Sequence, residues 1–95
     1  TNIIKLTPIF LLDINLVEGL TLDSVEHKLY WTDALRRTIE TVYVNGSKRR
    51  VLVSHDLDRP RAIAVDPNER YLFINYLHHH QYSESFNLVS SLEKF

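Results

Sequence analysis

The sequence lacks cysteine entirely, which excludes a disulfide framework and a cysteine-ligated metal site within its 95 residues. Only two glycines are present, too few for a glycine-rich phosphate-binding loop. Neither sign of charge is in excess, because eleven basic and twelve acidic residues leave a net charge of −1. We therefore expect no strong electrostatic attraction to nucleic acid or to an anionic membrane.

Long hydrophobic runs are also missing. The longest unbroken run near the start, Ile9–Leu12, is far short of the roughly 18–20 apolar residues that cross a membrane. No small-residue cleavage site follows it. We therefore expect neither a signal peptide nor a transmembrane segment in this sequence, and no direct membrane insertion. Hydrophobic residues still make up 44% of the sequence, a globular composition rather than a disordered one.

An internal repeat of 43 residues is the main positive signal. Apolar residues, an aspartate, a glutamate and a leucine–aromatic pair recur in the same order. The first set is Leu20–Asp23, Glu26 and Leu29–Tyr30, and the second is Ile63–Asp66, Glu69 and Leu72–Phe73. Chance readily produces one such pair but not the ordered set, so the chain is interpreted as repetitive.

The repeat unit has the pattern of four short strands. They are predicted at Gly19–Asp23, Lys28–Asp33, Thr38–Val44 and Arg49–Ser54. Asn45-Gly46, between the third and fourth strands, is the strongest short hairpin signal. Apolar residues on both faces of the third strand predict a sheet that is covered on both sides. Four strands in about 40–45 residues are typical of a propeller blade.

Tyr30-Trp31-Thr32-Asp33 spells the motif of the YWTD repeat, and its flanks match as well. Leu22-Asp23 and Lys28-Leu29 precede the motif, while Ile39-Glu40 and Asn45-Gly46-Ser47 follow it. The sequence thus resembles the low-density lipoprotein receptor and its related proteins, in which this is the class B repeat. The resemblance implies an all-β fold, a fragment of a six-bladed YWTD β-propeller. One whole four-stranded antiparallel blade and parts of two neighbours are expected.

On this resemblance the chain divides into four parts. Residues 1–18 are assigned to the outer part of a preceding blade, residues 19–60 to a complete YWTD repeat and residues 61–76 to the start of the next blade. The second copy then departs from the motif, because Ile74-Asn75-Tyr76 stands where Trp-Thr-Asp is expected. Residues 77–95 are therefore predicted to be a non-family tail, irregular or weakly helical.

The resemblance implies a binding module and not an enzyme. It implies part of the extracellular propeller of a single-pass endocytic or signalling receptor, at the cell surface and in endosomes, beside epidermal-growth-factor-like modules. Such a propeller binds protein ligands without a cofactor or metal. A matrix propeller of the nidogen type is an alternative, and a propeller hydrolase is a more distant one. Hydrolases of this architecture need a cluster of metal-binding acidic or Asn residues, which the repeat does not show.

The motif residues Tyr30, Trp31, Thr32 and Asp33 are mainly architectural in the family that they resemble. The resemblance places Tyr30 between blades, and Trp31 brings a large apolar area to a core. Thr32 suits a strand. Asp33 stands at the strand end, where its carboxylate is expected to accept hydrogen bonds from the backbone of the next turn.

Three further residues are singled out by the repeat and by a modification pattern. Asp23 and Asp66 hold equivalent turn positions, which indicates turn carboxylates rather than an acid–base pair. Asn45-Gly46-Ser47 matches the N-glycosylation pattern in a predicted exposed turn. Asn45 is thus the candidate modification site.

Three other strings are interpreted as structural. Adjacent histidines on an extended chain point in alternate directions, so His78–His80 indicates an exposed polar loop rather than a metal site. Lys48–Arg50 is interpreted as a solvated edge rather than a site for a sulfated glycan or an acidic ligand. The side chains of Ser54–Asp56 diverge along one strand and do not form a triad. No catalytic, cofactor-binding or metal-ligating residue is therefore predicted.

Overall fold

A computed structural model describes residues 16–55, 57, 59–77 and 85–92. These residues form seven strands: β1 Val17–Asp23, β2 Lys28–Asp33, β3 Thr38–Tyr43, β4 Arg50–Val53, β5 Arg59–Asp66, β6 Tyr71–Leu77 and β7 Ser85–Ser91. Within these ranges no helix is long and apolar enough to cross a membrane.

The strands make two antiparallel sheets. The first has the order β1-β2-β3-β4 and the second has the order β5-β6-β7. In each sheet, strands that are consecutive in the sequence are therefore hydrogen-bonded neighbours. This arrangement confirms the all-β fold and the whole four-stranded antiparallel blade. The second sheet begins at Arg59, two residues before the predicted boundary at residue 61. Val17 and Glu18, which the sequence assigned to a preceding blade, belong to β1 of the first sheet instead, where Val17 pairs with Asp33 of β2. Residues 1–15 lie outside the described residues, so their assignment to a preceding blade stays a prediction.

One expectation for the end of the chain is wrong. Residues 77–95 were expected to be irregular or weakly helical, but Ser85–Ser91 form strand β7 and pair with β6 from Tyr71↔Ser91 to Leu77↔Ser85. Pairing satisfies a whole row of backbone N–H and C=O groups along β6, whereas an isolated helix of about two turns is marginal. His78–His80 lie outside the described residues, and the loop expected there stays a prediction.

Alternation along the strands gives the first sheet two apolar faces. Tyr30 and Ile39 belong to a core cluster that includes Ile63 and Ile74 of the second sheet. Leu29, Trp31 and Val42 form a second buried cluster. Neighbouring residues of β2 thus enter different clusters, because successive side chains of a strand point to opposite faces. The first sheet is therefore packed like a blade.

Candidate functional site

The joint between the two sheets is the best-defined site among the described residues, and the YWTD motif lies at its centre. Strand β2 carries the motif, with β1 on one side and β3 on the other. Tyr30 is 3% exposed in the core shared by the sheets, and Trp31, in the other cluster, is fully buried. The motif thus supplies one large side chain to the joint and one to the opposite face.

Thr32 ties the first sheet directly to the second. Its hydroxyl donates a hydrogen bond to the backbone carbonyl of Arg61 on β5 at 2.6 Å. This carbonyl belongs to the part of β5 that pairs irregularly with β6, between Pro60 and Ile63. A bulged strand leaves backbone groups without a ladder partner, and the threonine satisfies one of them.

Gly19 allows β1 to approach β5 closely. A Cβ atom added to Gly19 would lie 2.5 Å from the Arg61 carbonyl oxygen and 3.0 Å from the Ile63 nitrogen. Both of these atoms are backbone, so neither can move away as a flexible side chain would. Glycine at this position therefore permits a contact between the two blades that a larger residue would block.

Asp23 links the turns of the two copies. Its Oδ1 accepts hydrogen bonds from the backbone N–H groups of Val25 at 3.0 Å and Glu26 at 3.1 Å, which hold the turn between β1 and β2. Its Oδ2 accepts a hydrogen bond from Nη1 of Arg70 at 2.7 Å, from the turn between β5 and β6. The aspartate is fully buried and the Arg70 side chain is 27% exposed, so this is a partly buried ion pair between blades.

The surroundings of Asp23 stabilise its ionised form. Burial alone would raise the pKa of Asp23, but hydrogen bonds from Arg70 and from the N–H groups of Glu26 and Val25 lower it below its ordinary value of 3.8. The pKa of Arg70 is raised in turn by its hydrogen bond with Asp23. Burial raises the pKa of the Tyr30 hydroxyl, and the nearby charge of Asp23 adds to this effect.

Asp66 repeats half of the Asp23 arrangement. Its Oδ1 accepts hydrogen bonds from the N–H groups of Asn68 at 3.1 Å and Glu69 at 3.0 Å. The residues that end the two turns, His27 and Arg70, both have a left-handed backbone, with φ of 57° and 62°. The repeat therefore reproduces the turn at both positions, and the aspartate carboxylate is a structural part of it.

Asp33 fixes the turn at the other end of β2. Its Oδ1 accepts hydrogen bonds from the N–H groups of Leu35 at 3.1 Å and Arg36 at 3.0 Å, and a longer one from Leu16 at 3.3 Å. The carboxylate thus holds the β2–β3 turn and also the residue that precedes β1. This geometry matches the capping role expected from the position of Asp33 at the strand end.

Glu40 is a buried charged residue whose partners the sequence reasoning missed. It is fully buried on β3. Its Oε1 accepts hydrogen bonds from Nη2 of Arg49 at 3.0 Å and Nε at 3.2 Å, and its Oε2 accepts one from the Thr38 hydroxyl at 2.7 Å. The guanidinium of Arg49 also lies 5.4 Å from the centre of the Trp31 ring. A single acid inside a strand of β-branched residues, with arginines nearby, is the signal that could have revealed this cluster.

Asn45 lies in the exposed turn after β3. Its Oδ1 accepts hydrogen bonds from the backbone N–H of Ser47 at 2.9 Å and from the Ser47 hydroxyl at 2.7 Å. Gly46 between them has φ of 90°, which glycine adopts at little cost. The asparagine and serine of the sequon are therefore held together on the surface.

The carboxylates of this region are bound to N–H groups and cations. Asp23, Asp33 and Glu40 each accept several such hydrogen bonds, so their oxygens are engaged in holding turns and strands. Among the described residues no group of three or more His, Cys, Asp or Glu could hold a metal ion. Asp56 lies outside the described residues, so the interpretation of Ser54–Asp56 stays a prediction.

Comparison with known proteins agrees with this geometry. Residues 27–67 match the family model of the low-density lipoprotein receptor repeat class B. The chain is 50% identical over 56 residues to low-density lipoprotein receptor-related protein 5 of Mus musculus, covering 59% of this chain and 4% of that protein. It is 38% identical over 58 residues to protein cueball of Drosophila sechellia, covering 59% of this chain and 9% of that protein.

A solved structure extends the likeness to the second sheet. A chain in the crystal structure of a nidogen/laminin complex superposes with a TM-score of 0.76 at 28% identity, over 86% of this chain and 30% of that chain. The sequence therefore spans only a small part of each of these relatives. The two sheets and their joint define neighbouring blades of a β-propeller. Residues 27–67, somewhat less than half of the chain, are similar to the class B repeat of the low-density lipoprotein receptor.

Proposed function

We propose that the chain forms part of an extracellular propeller of the low-density lipoprotein receptor-related type, which binds protein ligands without catalysis. The observation that carries this proposal is the joint between the blades. The motif residues and Asp23 are buried in contacts between or within blades, as with Thr32 on Arg61 and Asp23 on Arg70. Side chains used in this way serve the scaffold, and ligand contacts then fall to the exposed loops and rims of the blades.

The proposed setting is a single-pass endocytic or signalling receptor at the cell surface. The likeness to low-density lipoprotein receptor-related protein 5 supports this choice. A cysteine-free blade suits an oxidising compartment, because it has no thiol to oxidise or mispair. Further blades are proposed to complete the propeller on either side of these two. Epidermal-growth-factor-like modules are proposed to lie beside the complete propeller.

A propeller of the extracellular matrix is the second candidate. It is favoured by the superposition on a chain from the nidogen/laminin complex, which covers more of the sequence than the receptor match does. Laminin would then be the class of partner to test. The two candidates share the scaffold and differ in the ligand.

An exchange experiment tests the proposal. The 56 matching residues of the mouse receptor-related protein are replaced by those of this chain, and the secreted ectodomain is assayed for binding of the receptor's protein ligands. We expect a folded hybrid that binds these ligands, with slower hydrogen exchange in the grafted blade when a ligand is bound. A folded hybrid whose grafted residues show no protection would contradict the ligand-binding role.

The same graft into the nidogen chain separates the two candidates. If the blades are of receptor type, this second hybrid should fold but bind laminin no better than a hybrid carrying an unrelated class B blade. Laminin binding at the level of the parent nidogen chain would favour the matrix candidate instead.

A further inference from the structure

A cavity of about 220 Å³ beside the first sheet has a strongly basic lining. It is lined by Lys28, Thr41, Tyr43, Lys48 and Arg50. Three of these five residues are cationic and none is acidic, although the whole chain carries a net charge of −1. The local charge of this cavity is thus opposite to that of the molecule, and an anion would be attracted to it.

The fold brings these cations together from distant points of the sequence. Lys28 and Tyr43 are register partners at the ends of β2 and β3, and Arg50 on β4 pairs with Thr41. The Lys28 ammonium lies 4.9 Å from the centre of the Tyr43 ring, and the Lys48 ammonium lies 6.0 Å from it. The ring therefore holds two ammonium groups beside the same cavity through cation–π contacts.

The basic run Lys48–Arg50 separates into two parts in the structure. Arg49 binds Glu40 and lies over Trp31, so its charge is used inside the first sheet. Lys48 and Arg50 line the cavity instead. The sequence interpretation of this run as a solvated edge agrees with the exposure of Lys48 and Arg50 but not with the placement of Arg49.

No nearby acid takes up the charge of the two lysines. Across the described residues, the ion pairs involve arginines, and neither Lys28 nor Lys48 is in one. Asp23 is the register partner of Lys28, but its oxygens are occupied by Arg70 and by the N–H groups of its own turn. Lys28 and Lys48 thus give the cavity positive charge that no ion pair of the described residues neutralises.

The size of the cavity indicates what kind of anion it would accept. Pockets that enclose a drug-sized ligand measure about 300–1,000 Å³, and this one is smaller. It suits an anionic group that projects from a larger chain, with neighbouring anionic groups reaching the exposed Lys48 and Arg50 at the rim. Sulfate esters meet this requirement, because they remain charged at every physiological pH and are repeated along a polysaccharide.

We propose that the Lys28–Tyr43–Lys48–Arg50 cavity binds the sulfate groups of a sulfated polysaccharide. The choice of an extracellular sulfated chain rests on the proposed function, whereas the basic cavity itself does not. Lys28 and Lys48 supply point charges around the Tyr43 ring, and Arg50 supplies a planar donor at the rim. Binding is expected to weaken steeply as salt is added, because the cations are partly exposed.

Titration of the full chain with a heparin-derived hexasaccharide tests the site. The double variant Lys28→Gln/Lys48→Gln should lower the affinity at least about tenfold. Arg59→Gln/Arg61→Gln is the matched control, since it removes the same charge from exposed side chains of β5 and should change the affinity less than about twofold. Equal losses in the two double variants would overturn the proposal, as would an unchanged affinity in the first.

Two further probes identify the chemistry. A desulfated hexasaccharide should not bind, and an oligoglutamate peptide of equal charge should bind more weakly than the sulfated one. If the peptide binds as tightly, the cavity recognises acidic protein segments and the proposal is wrong. The blade-exchange experiment does not depend on Lys28 or Lys48, so failure of this site leaves the proposed receptor role to be judged separately.

Discussion

The two copies of the 43-residue repeat carry similar residues in different surroundings. Tyr30 in the first copy is 3% exposed, whereas Phe73 at the equivalent position of the second is 42% exposed. Asp23 is buried beneath Arg70, whereas Asp66 holds the same turn and is only partly buried. The second sheet covers Tyr30, so this aromatic position becomes a core position where a neighbouring blade lies on it.

Truncating the two equivalent aromatic residues should separate the copies most clearly. Tyr30→Ala should lower the free energy of unfolding by about 3–5 kcal/mol, as for a core aromatic residue. Phe73→Ala should cost about 1 kcal/mol or less, because much of the ring is already in water. Urea unfolding of both variants measures the difference. Equal losses would show that the second sheet does not bury the motif as described.

The equivalent aspartates should also differ. Asp23→Ala removes a partly buried ion pair and a turn cap and should cost about 2–3 kcal/mol at neutral pH. Asp66→Ala removes a turn cap alone and should cost about 1 kcal/mol. The lowered pKa of Asp23 means that its stabilisation is present above its ordinary value of 3.8 and is lost as the pH falls through the folded-state pKa.

Melting curves between neutral and acid pH measure this effect. The Asp23→Ala variant should lose less stability on acidification than the wild-type chain, since the ionised carboxylate is already gone. Parallel pH profiles for the two proteins would contradict the assignment of Asp23 as the linked group.

The close approach of β1 to β5 at Gly19 gives a third comparison. Gly19→Ala places a Cβ about 2.5 Å from the Arg61 carbonyl oxygen and should cost about 1–3 kcal/mol through overpacking. Ala62, the equivalent residue of the second copy, already carries a Cβ and is exposed. Ala62→Ser should therefore leave the melting temperature nearly unchanged. A tolerated Gly19→Ala would mean that β1 and β5 lie further apart.

The buried hydroxyl of Tyr30 should make the stability of the protein depend on pH in the alkaline range. The pKa of Tyr30 is raised, so its contribution to stability is present below the ordinary tyrosine pKa of about 10 and is lost as the pH rises from there through the folded-state pKa. Tyr30→Phe, which makes the first copy like the second at this position, should lose less stability than the wild-type chain between pH 9 and 11. Thermal melts across that range are the measurement. An identical alkaline loss in both proteins would assign the effect to another group.

The smallest effect on stability is expected at Asn45. Asn45-Gly46-Ser47 is the only N-glycosylation sequon in the sequence, and its residues are exposed. Expression through a secretory pathway should add a glycan that a glycosidase removes, and Asn45→Gln and Ser47→Ala should both abolish the mass shift. Neither change should alter the melting temperature of the unmodified protein by much. A single mass in all three proteins would contradict the assignment.

Much of the first sheet could be predicted from the sequence because its signals are local. The alternation in β2 and β3 and the Asn45-Gly46 turn act over a few residues, and the strands form within two residues of their predicted bounds. The second buried face was also predictable, since the third strand is apolar on both sides. Local pattern and tertiary structure agree in this region.

The long-range contacts could not be predicted in the same way. Arg70 binds Asp23 across 47 residues, and Lys28 joins Lys48 only because β2 and β3 are in register. Strand β7 was missed because its residues have only weak local preferences for a strand, and pairing with β6 in the folded structure decides their conformation. The repeat itself could have suggested the Asp23–Arg70 pair, because it places an identical turn on each blade.

A double-mutant cycle on Asp23 and Arg70 tests most directly whether the two copies form one joined unit. Asp23→Asn, Arg70→Gln and the double variant are unfolded in urea at neutral pH and at one ionic strength. Because the two groups lie 2.7 Å apart at a partly buried position, the coupling energy should be about 1–3 kcal/mol. A coupling below about 0.3 kcal/mol, the additivity of independent sites, would contradict the account.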